Sequence, residues 1–318
     1  MNFAEKFKHT LFEVNDKTFA DSSLAAFDYQ YHSCHIFKSY CDYLHRTPKT
    51  VKNLSEIPFL PIDFFKNHAI KSGKWNENKI FQSSGTTSSR RSKHFVKDLD
   101  YYHLAAKKIF EDQFGPLSNY KIVAILPSYQ SQGDSSLISM VDYFMEYSHP
   151  GSGYFLNEDI DQVMKDSNQK LVIGVSYALL DVADRSQKIE NAIIMETGGM
   201  KGRRKEMTRT ELHDSLQRGF GVDAIWSEYG MTELNSQGYG KHGFFKFPSW
   251  AKCLIRDIND PFSYQNTGKT GGINIIDLAN IDTCCFIETK DLGRVTGDNF
   301  EVLGRFDNSD IRGCNLMI

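Results

Sequence analysis

The sequence predicts an α/β layered fold with a largely parallel sheet, closed on its C-terminal side by a small antiparallel β subdomain. Three observations carry this. Between about residue 98 and Trp226, short apolar runs of strand character alternate with amphipathic helical stretches, the pattern of parallel β–α–β layering. From Gly268 the texture changes to short β-like runs separated by Gly and Asp turns. The 318 residues are 40% hydrophobic and 24% charged, enough apolar side chain for one large or two moderate domains.

Residues 1 to about 78 read as a helical N-terminal cap region. Phe27, Tyr31, Cys34, Phe37, Cys41 and Leu44 recur at spacings of three and four, which predicts one amphipathic helix over Ser22–Arg46, with Pro48 beyond its end. Leu54 to Pro61 reads as a turn with apolar anchors, leading to a short helix near Asp63–Asn67. Asp98–Phe114 predicts a helix with Gly115 as its C-cap. Lys121–Leu126, Leu171–Val175, Ala192–Met195 and Val222–Trp226 predict buried strands. A helix follows from about Ala178, and Thr208 with Glu211 forms a capping box for another that ends near Gly219. Ile273–Ile276 and Cys285–Glu288 read as strands of the closing sheet. Ligands in such sheets sit at the carboxyl ends of the strands, which points to Glu196–Gly199 and to Ser227–Glu233.

Composition excludes several classes. A net charge of −3 gives no basic footprint for nucleic acid. No apolar run approaches the ~20 residues of a membrane span. Met1–Val14 interleaves Glu5, Lys6, Lys8 and Glu13 with its apolar residues, so it lacks the core of a signal peptide and points to a cytoplasmic protein. The six cysteines (Cys34, Cys41, Cys253, Cys284, Cys285, Cys314) include no C-x-x-C pair and form neither a disulfide framework nor a zinc signature. No Ser/His/Asp triad can be assembled from spacing.

Gln82 to Lys93 carries the chemistry. After Gln82 every residue is Ser, Thr, Gly, Arg or Lys. Such a loop offers hydroxyl and backbone N–H donors, a close backbone approach at Gly85, and the cations Arg90, Arg91 and Lys93, which is what a polyphosphate requires. Taken alone it also reads as a solvated linker. In Tyr229-Gly230-Met231-Thr232-Glu233, Tyr229 offers a flat face for a base, Thr232 a hydroxyl for phosphate and Glu233 a hard oxygen for Mg²⁺. An Asp after a strand, Asp291, suits ribose hydroxyls or a plain turn. Leu303-Gly304-Arg305-Phe306-Asp307 and Ile311-Arg312-Gly313-Cys314-Asn315 follow, each also readable as a surface turn.

The order of these pieces resembles the motif series of the adenylate-forming enzymes, from about residue 79 to residue 318. Within that superfamily the chain most resembles the acyl-protein synthetases of bacterial bioluminescence operons, the LuxE family, and more distantly phenylacetate–CoA ligases. The matching stretches are Leu126–Tyr129, Gly133–Leu137, Glu196–Arg203 and Arg312–Leu316. The resemblance implies one adenylate-forming, AMP-binding domain over residues 79–318, with mixed and parallel sheets and a short cysteine-bearing arm. It implies ATP and Mg²⁺ as cofactors. Ser83, Ser84, Gly85, Thr86, Thr87 and Ser88 would cradle the phosphates. Tyr229 would flank adenine, with Gly230 beside it among the cofactor-binding residues, Thr232 would meet phosphate and Glu233 the metal. Asp291 and Arg305 would hold the ribose side, and Gly198 and Gly199 would line the nucleotide and acyl channel. Cys314 would accept the acyl group as a thioester, with Arg312 favouring its thiolate.

Two departures stand beside this. Many members carry a separate C-terminal domain with a lysine that aids adenylation. The sequence stops at Ile318, so that domain and lysine are expected to be missing, and Arg90, Arg91 or Lys93 to supply charge instead. Ser88 stands where many relatives have a glycine, which makes the turn less permissive. The implied function is ATP-dependent activation of a fatty or other acid and its transfer to Cys314, with an acyl reductase, a thioesterase or a carrier protein as partners. Two alternatives stay open: a ligase whose acceptor is coenzyme A or a carrier-protein thiol, and a non-catalytic nucleotide- or acyl-binding subunit.

Overall fold

The structure is a computed structural model that describes residues 2–84, 90–127, 133–155, 159–165, 167–185, 188–198, 203–205 and 207–306. The chain divides into two compact units, one formed by Met1–Lys74 with Ser249–Ile318 and the other by Trp75–Pro248. The N-terminal helices therefore share a unit with the C-terminal strands.

In the discontinuous unit the chain begins with α1 (Phe3–Thr10), α2 (Phe19–Ser33) and α3 (His35–Tyr43), then β1 (Leu60–Pro61) and α4 (Phe64–Asn67). The single helix expected over Ser22–Arg46 is two. Cys34 is extended (φ −104°, ψ 103°), and the Ser33 carbonyl accepts the Gly73 N–H at 2.9 Å. A donor from a distant segment makes this break, and no Pro or Gly marks it locally.

The continuous unit opens with a hairpin of β2 (Lys79–Gln82) and β3 (Lys93–Val96). Helix α5 (Leu99–Phe114) starts on Asp98, whose side chain accepts the Tyr101 N–H at 3.0 Å, and stops at Gly115 with φ +85°. There follow β4 (Lys121–Ile125), α6 (Ser136–Glu146), β5 (Gly153–Tyr154), α7 (Asp159–Met164), β6 (Lys170–Val175), α8 (Ser176–Ala183), β7 (Ala192–Thr197) and α9 (Arg209–Phe220). Three strands complete the unit: β8 (Ile225–Tyr229), β9 (Gly238–Lys241) and β10 (Phe244–Lys246). The order is β5-β4-β6-β7-β8 in parallel, continued by antiparallel β9 and β10. Leu171, Val172 and Ile173 are all buried, as a strand covered on both faces requires. The expected capping box on α9 forms, with Glu211 N–H donating to Thr208 Oγ1 and Thr208 N–H to Glu211 Oε2. A Cβ on Gly219 would lie 2.5 Å from Ala183 Cβ, so glycine lets α9 cross α8 backbone to backbone.

Strand β8, the fourth of the expected strands, starts three residues later than the apolar run at Val222 suggests. Gly221 closes α9 in the left-handed region (φ +69°), and Gln217 Nε2 donates to the Asp223 carbonyl at 2.7 Å. Those bonds hold Val222–Ala224 out of the sheet, and Ser227, Glu228 and Tyr229 become strand residues rather than residues after a strand.

The closing strands are β11 (Ala251–Arg256), β12 (Gly271–Asp277), β13 (Phe286–Thr296) and β14 (Asn299–Arg305), antiparallel in that order, with β1 parallel to β13. Gln30 ties α2 to them. Its Nε2 donates to the Asn280 and Ile281 carbonyls (3.0 and 3.1 Å), and its Oε1 accepts the Cys285 N–H at 2.8 Å. Phe27 and Phe37 pack on Phe286 around this buried amide. Cys34, Cys41, Cys284 and Cys285 are buried in the same unit.

Candidate active site

The base of the Ser/Thr/Gly loop is the end of the β2–β3 hairpin. Ser83 N–H donates to the Ser92 carbonyl at 3.1 Å, and Ser92 N–H donates back to Ser83 Oγ at 3.0 Å. Arg91 Nε donates to the Ser83 carbonyl at 2.5 Å, so this expected cation fastens the loop base. Gln82 is held twice by Asp134, through its backbone N–H and its Nε2, both at 2.9 Å. Ser84 is exposed, as is Arg90. Gly85, Thr86, Thr87 and Ser88 lie outside the described residues, as do Gly199 and Cys314.

One residue beyond Lys93, His94 Nδ1 lies 2.8 Å from the Thr232 carbonyl. A carbonyl only accepts, so Nδ1 carries the proton and Nε2 the lone pair. Burial drives the imidazole down to about 4, with the bond to Thr232 opposing it, so the ring is neutral near pH 7.

Strand β8 delivers Tyr229 as its last residue. The phenol ring is nearly buried against Phe245 (5.7 Å between centroids) and Phe247 (6.0 Å). Gly230 lacks a side chain for a steric reason: a Cβ there would lie 2.3 Å from Glu228 Oε1. Thr232 is half-buried and Glu233 is 4% exposed.

Two carboxylates stand at the ends of β7 and β8, and spacing assigned neither a role. Thr197 O–H donates to Glu228 Oε2 at 2.6 Å. Burial pushes Glu228 up to about 7; the Thr197 bond opposes this, and the charge of Glu196 adds to it. Glu196 goes the other way. Burial alone would raise it, but hydrogen bonds to His213 and Ser227 and the positive field of Arg209 hold it below the usual carboxylate range. Ser176 Oγ lies 3.1 Å from Glu196 Oε2 and 3.2 Å from the Gly198 carbonyl. Gly198 has φ +76°, which fits glycine at the turn that leaves β7. His213 Nε2 is 3.3 Å from Ser227 Oγ and 3.6 Å from Glu196 Oε1. Both contacts use one ring nitrogen, so this is a clamp on Glu196 and not a relay. The only sequence signal for it is that Glu196 and Ser227 end neighbouring strands, where they are register partners.

In the discontinuous unit, Asp291 and Arg305 face each other across β13 and β14, with Arg305 Nε 3.2 Å from Asp291 Oδ1. Asp291 was expected at a strand end. It lies inside an eleven-residue strand, next to a register shift at Leu292/Gly293 that lets β13 run on to Thr296. Its N–H donates to Thr289 Oγ1 at 3.1 Å. Below it Arg256 is buried, donating to the carbonyls of Ile273 (2.9 Å) and Thr289 (2.8 Å) and to Asn274 Oδ1 (2.9 Å). Gly272 makes room for that guanidinium. Burial, and then the charge of Asp291, pushes the thiol of half-buried Cys253 up, which disfavours its thiolate.

Among the described residues no cluster of three or more His, Cys, Asp or Glu side chains forms a metal cage. A single carboxylate such as Glu233 still fits Mg²⁺, which is bound through one or two carboxylates together with substrate phosphates.

No protein-family model and no curated protein matches the sequence. Solved structures do match. ATP-bound MatB from Rhodopseudomonas palustris aligns with a TM-score of 0.55 at 16% identity, over 73% of this chain and 49% of that one. The open conformation of 2-hydroxyisobutyryl-CoA ligase, in complex with 2-HIB-AMP and CoA, aligns with a TM-score of 0.69 at 12% identity, over 92% of this chain and 70% of that one. The same ligase in its thioesterification state gives 0.64 at 13%, over 97% and 70%. The chain thus spans about half the length of MatB. The shared feature is the fold, a layered α/β architecture with mixed parallel and antiparallel sheet.

Proposed function

We propose that this chain activates a carboxylic acid with ATP and passes the acyl group to a thiol. The supporting observation is the bond from His94 to Thr232, which ties the base of the Ser/Thr/Gly loop to the Y-G-x-T-E turn within one unit. The two motifs expected to meet the phosphates are neighbours through it. The fold agrees: MatB was solved with ATP, and 2-hydroxyisobutyryl-CoA ligase with 2-HIB-AMP and CoA.

In the first half-reaction a carboxylate oxygen attacks the α-phosphorus of ATP. The bond to the bridging oxygen breaks and pyrophosphate leaves. In the second, a thiolate attacks the acyl carbonyl, AMP leaves and a thioester remains. The loop backbone and Thr232 position the phosphates and stabilise their charge. Glu233 would hold Mg²⁺, which would neutralise phosphate charge when bound. Asp291 is assigned to the ribose hydroxyls, with Arg305 as its partner. Tyr229 offers the nucleotide only its exposed rim, because Phe245 and Phe247 cover its ring.

The finer reading is an acyl-protein synthetase in which Cys314 accepts the acyl group, on the resemblance of Arg312–Leu316 to the LuxE family. A second reading, coenzyme A as acceptor, is favoured by the complex of 2-hydroxyisobutyryl-CoA ligase with CoA. ATP–pyrophosphate exchange across a panel of acids tests activation, and its absence for every acid overturns it. Radioactive acid plus ATP then separates the acceptors. Label on the protein that neutral hydroxylamine releases and that Cys314→Ser abolishes supports the acyl-protein reading. Acylated coenzyme A with unlabelled protein supports the other.

A further inference from the structure

We infer that the acid this chain accepts carries a hydroxyl group on its chain, held between Glu228 and Tyr239. The inference rests on the adenylation reading and names its substrate class. Glu228 and Tyr239 are register partners across β8 and β9, so their side chains share one face of the sheet. That face is packed by α5, where Phe110 and Phe114 fix the Tyr239 ring at 6.1 and 5.3 Å between centroids. The Tyr239 hydroxyl has no hydrogen-bond partner among the described residues, although the residue is only 3% exposed. Gln237, two residues earlier and 4% exposed, has an Oε1 without a partner among the described residues.

The neighbouring polar groups are already committed. Tyr102 O–H donates to the Ser136 carbonyl at 2.9 Å, and Thr197 O–H takes Glu228 Oε2. Glu228 Oε1 has no hydrogen bond among the described residues, and a Cβ on Gly230, inside the Y-G-x-T-E turn, would lie 2.3 Å from it. The face therefore offers one carboxylate acceptor and one phenolic donor at the carboxyl end of β8.

A plain alkyl chain against these groups would leave each of them dry and unpaired, with its desolvation uncompensated. An alcohol donates once and accepts readily, so it satisfies a carboxylate oxygen and a phenol together. A site built this way discriminates against the analogue that lacks the hydroxyl far more strongly than an apolar pocket discriminates by size.

The test pairs hydroxylated acids with their deoxy counterparts: short and medium α- and β-hydroxy acids, and hydroxybenzoates. Pyrophosphate exchange gives kcat/KM for each. At least one hydroxylated member is expected to exceed its deoxy partner about tenfold or more. Tyr239→Phe, which removes one oxygen and keeps the packing, is expected to collapse that ratio toward one, as is Glu228→Gln. A wild type that prefers no hydroxylated acid, or a Tyr239→Phe variant that keeps the preference, overturns the inference. If no acid supports exchange, the adenylation reading falls separately. The Glu228–Tyr239 pair is then judged by thermal stabilisation with the same panel. Stabilisation by a hydroxylated acid, not by its deoxy partner, and lost in Tyr239→Phe, supports it; no difference overturns it.

Discussion

His94 and Thr232, 138 residues apart in sequence, are joined by a single 2.8 Å hydrogen bond from a neutral imidazole to a backbone carbonyl. The bond fixes where the turn before Glu233 sits relative to the stem of the Ser/Thr/Gly loop. His94→Ala leaves the Thr232 carbonyl short of a donor and opens a cavity. A loss of about 2–4 kcal/mol in unfolding free energy is expected. Pyrophosphate exchange should fall further than the folded fraction does. Denaturant titration alongside exchange checks this, and full exchange by a folded His94→Ala protein would separate the bond from the site.

Glu228 gives a pH dependence with a definite sign. Its folded carboxyl is pushed from the usual 4.5 up to about 7. Between those values the native state keeps a proton that the unfolded chain has released. Stability therefore falls as pH rises across the window and levels off above it, by at most about 3 kcal/mol, less because the side chain is only partly covered. His94, lowered from 6.5 to about 4, works in the opposite sense and loses stability as pH falls. The two offset each other in wild type. Glu228→Gln removes one of them, so the variant should gain on wild type by roughly 1–3 kcal/mol between about pH 5 and pH 8. Urea unfolding at several pH values reads this directly; a difference independent of pH contradicts it.

Glu233→Gln keeps the shape of a buried side chain and removes its charge. If Glu233 holds the metal, exchange should fall steeply at limiting Mg²⁺ and recover in part as Mg²⁺ is raised. A uniform loss at all Mg²⁺ concentrations would mark a structural role instead.

Asp291→Ala should raise the KM for ATP about tenfold with less effect on kcat, because ribose hydrogen bonds to a charged group are worth about 1.5–3 kcal/mol. Arg305→Ala should do less, since its side chain is largely exposed beside Asp291. An unchanged ATP dependence in Asp291→Ala would make that residue a pairing element of β13 alone.

Much of the fold was legible because its signals are local. Asp98 and Gly115 bracket α5, Thr208 and Glu211 start α9, and the apolar runs at Lys121, Leu171 and Ala192 are buried parallel strands. What escaped was set from a distance. The break at Cys34 depends on Gly73, the late start of β8 on Gln217, and the mid-strand place of Asp291 on the shift at Gly293. The motif residues were legible as a series. The states of Glu228, Glu196 and His94 were not, because each depends on burial and on partners that no spacing encodes.

The three bonds of Gln30 span 250 residues or more, from α2 to the segment before β13. On the ribosome this imposes a schedule. Residues 75–248 form a continuous unit that can complete itself while the rest is still being made. Helix α2 emerges well before the segment that precedes β13, so the Gln30 amide must wait for its carbonyls. At about 5–20 residues per second, that wait is on the order of 10–50 s. During it the apolar stripe of α2 has Phe37 of α3 but not Phe286 to pack on, and a nascent-chain chaperone has its longest opportunity on that helix.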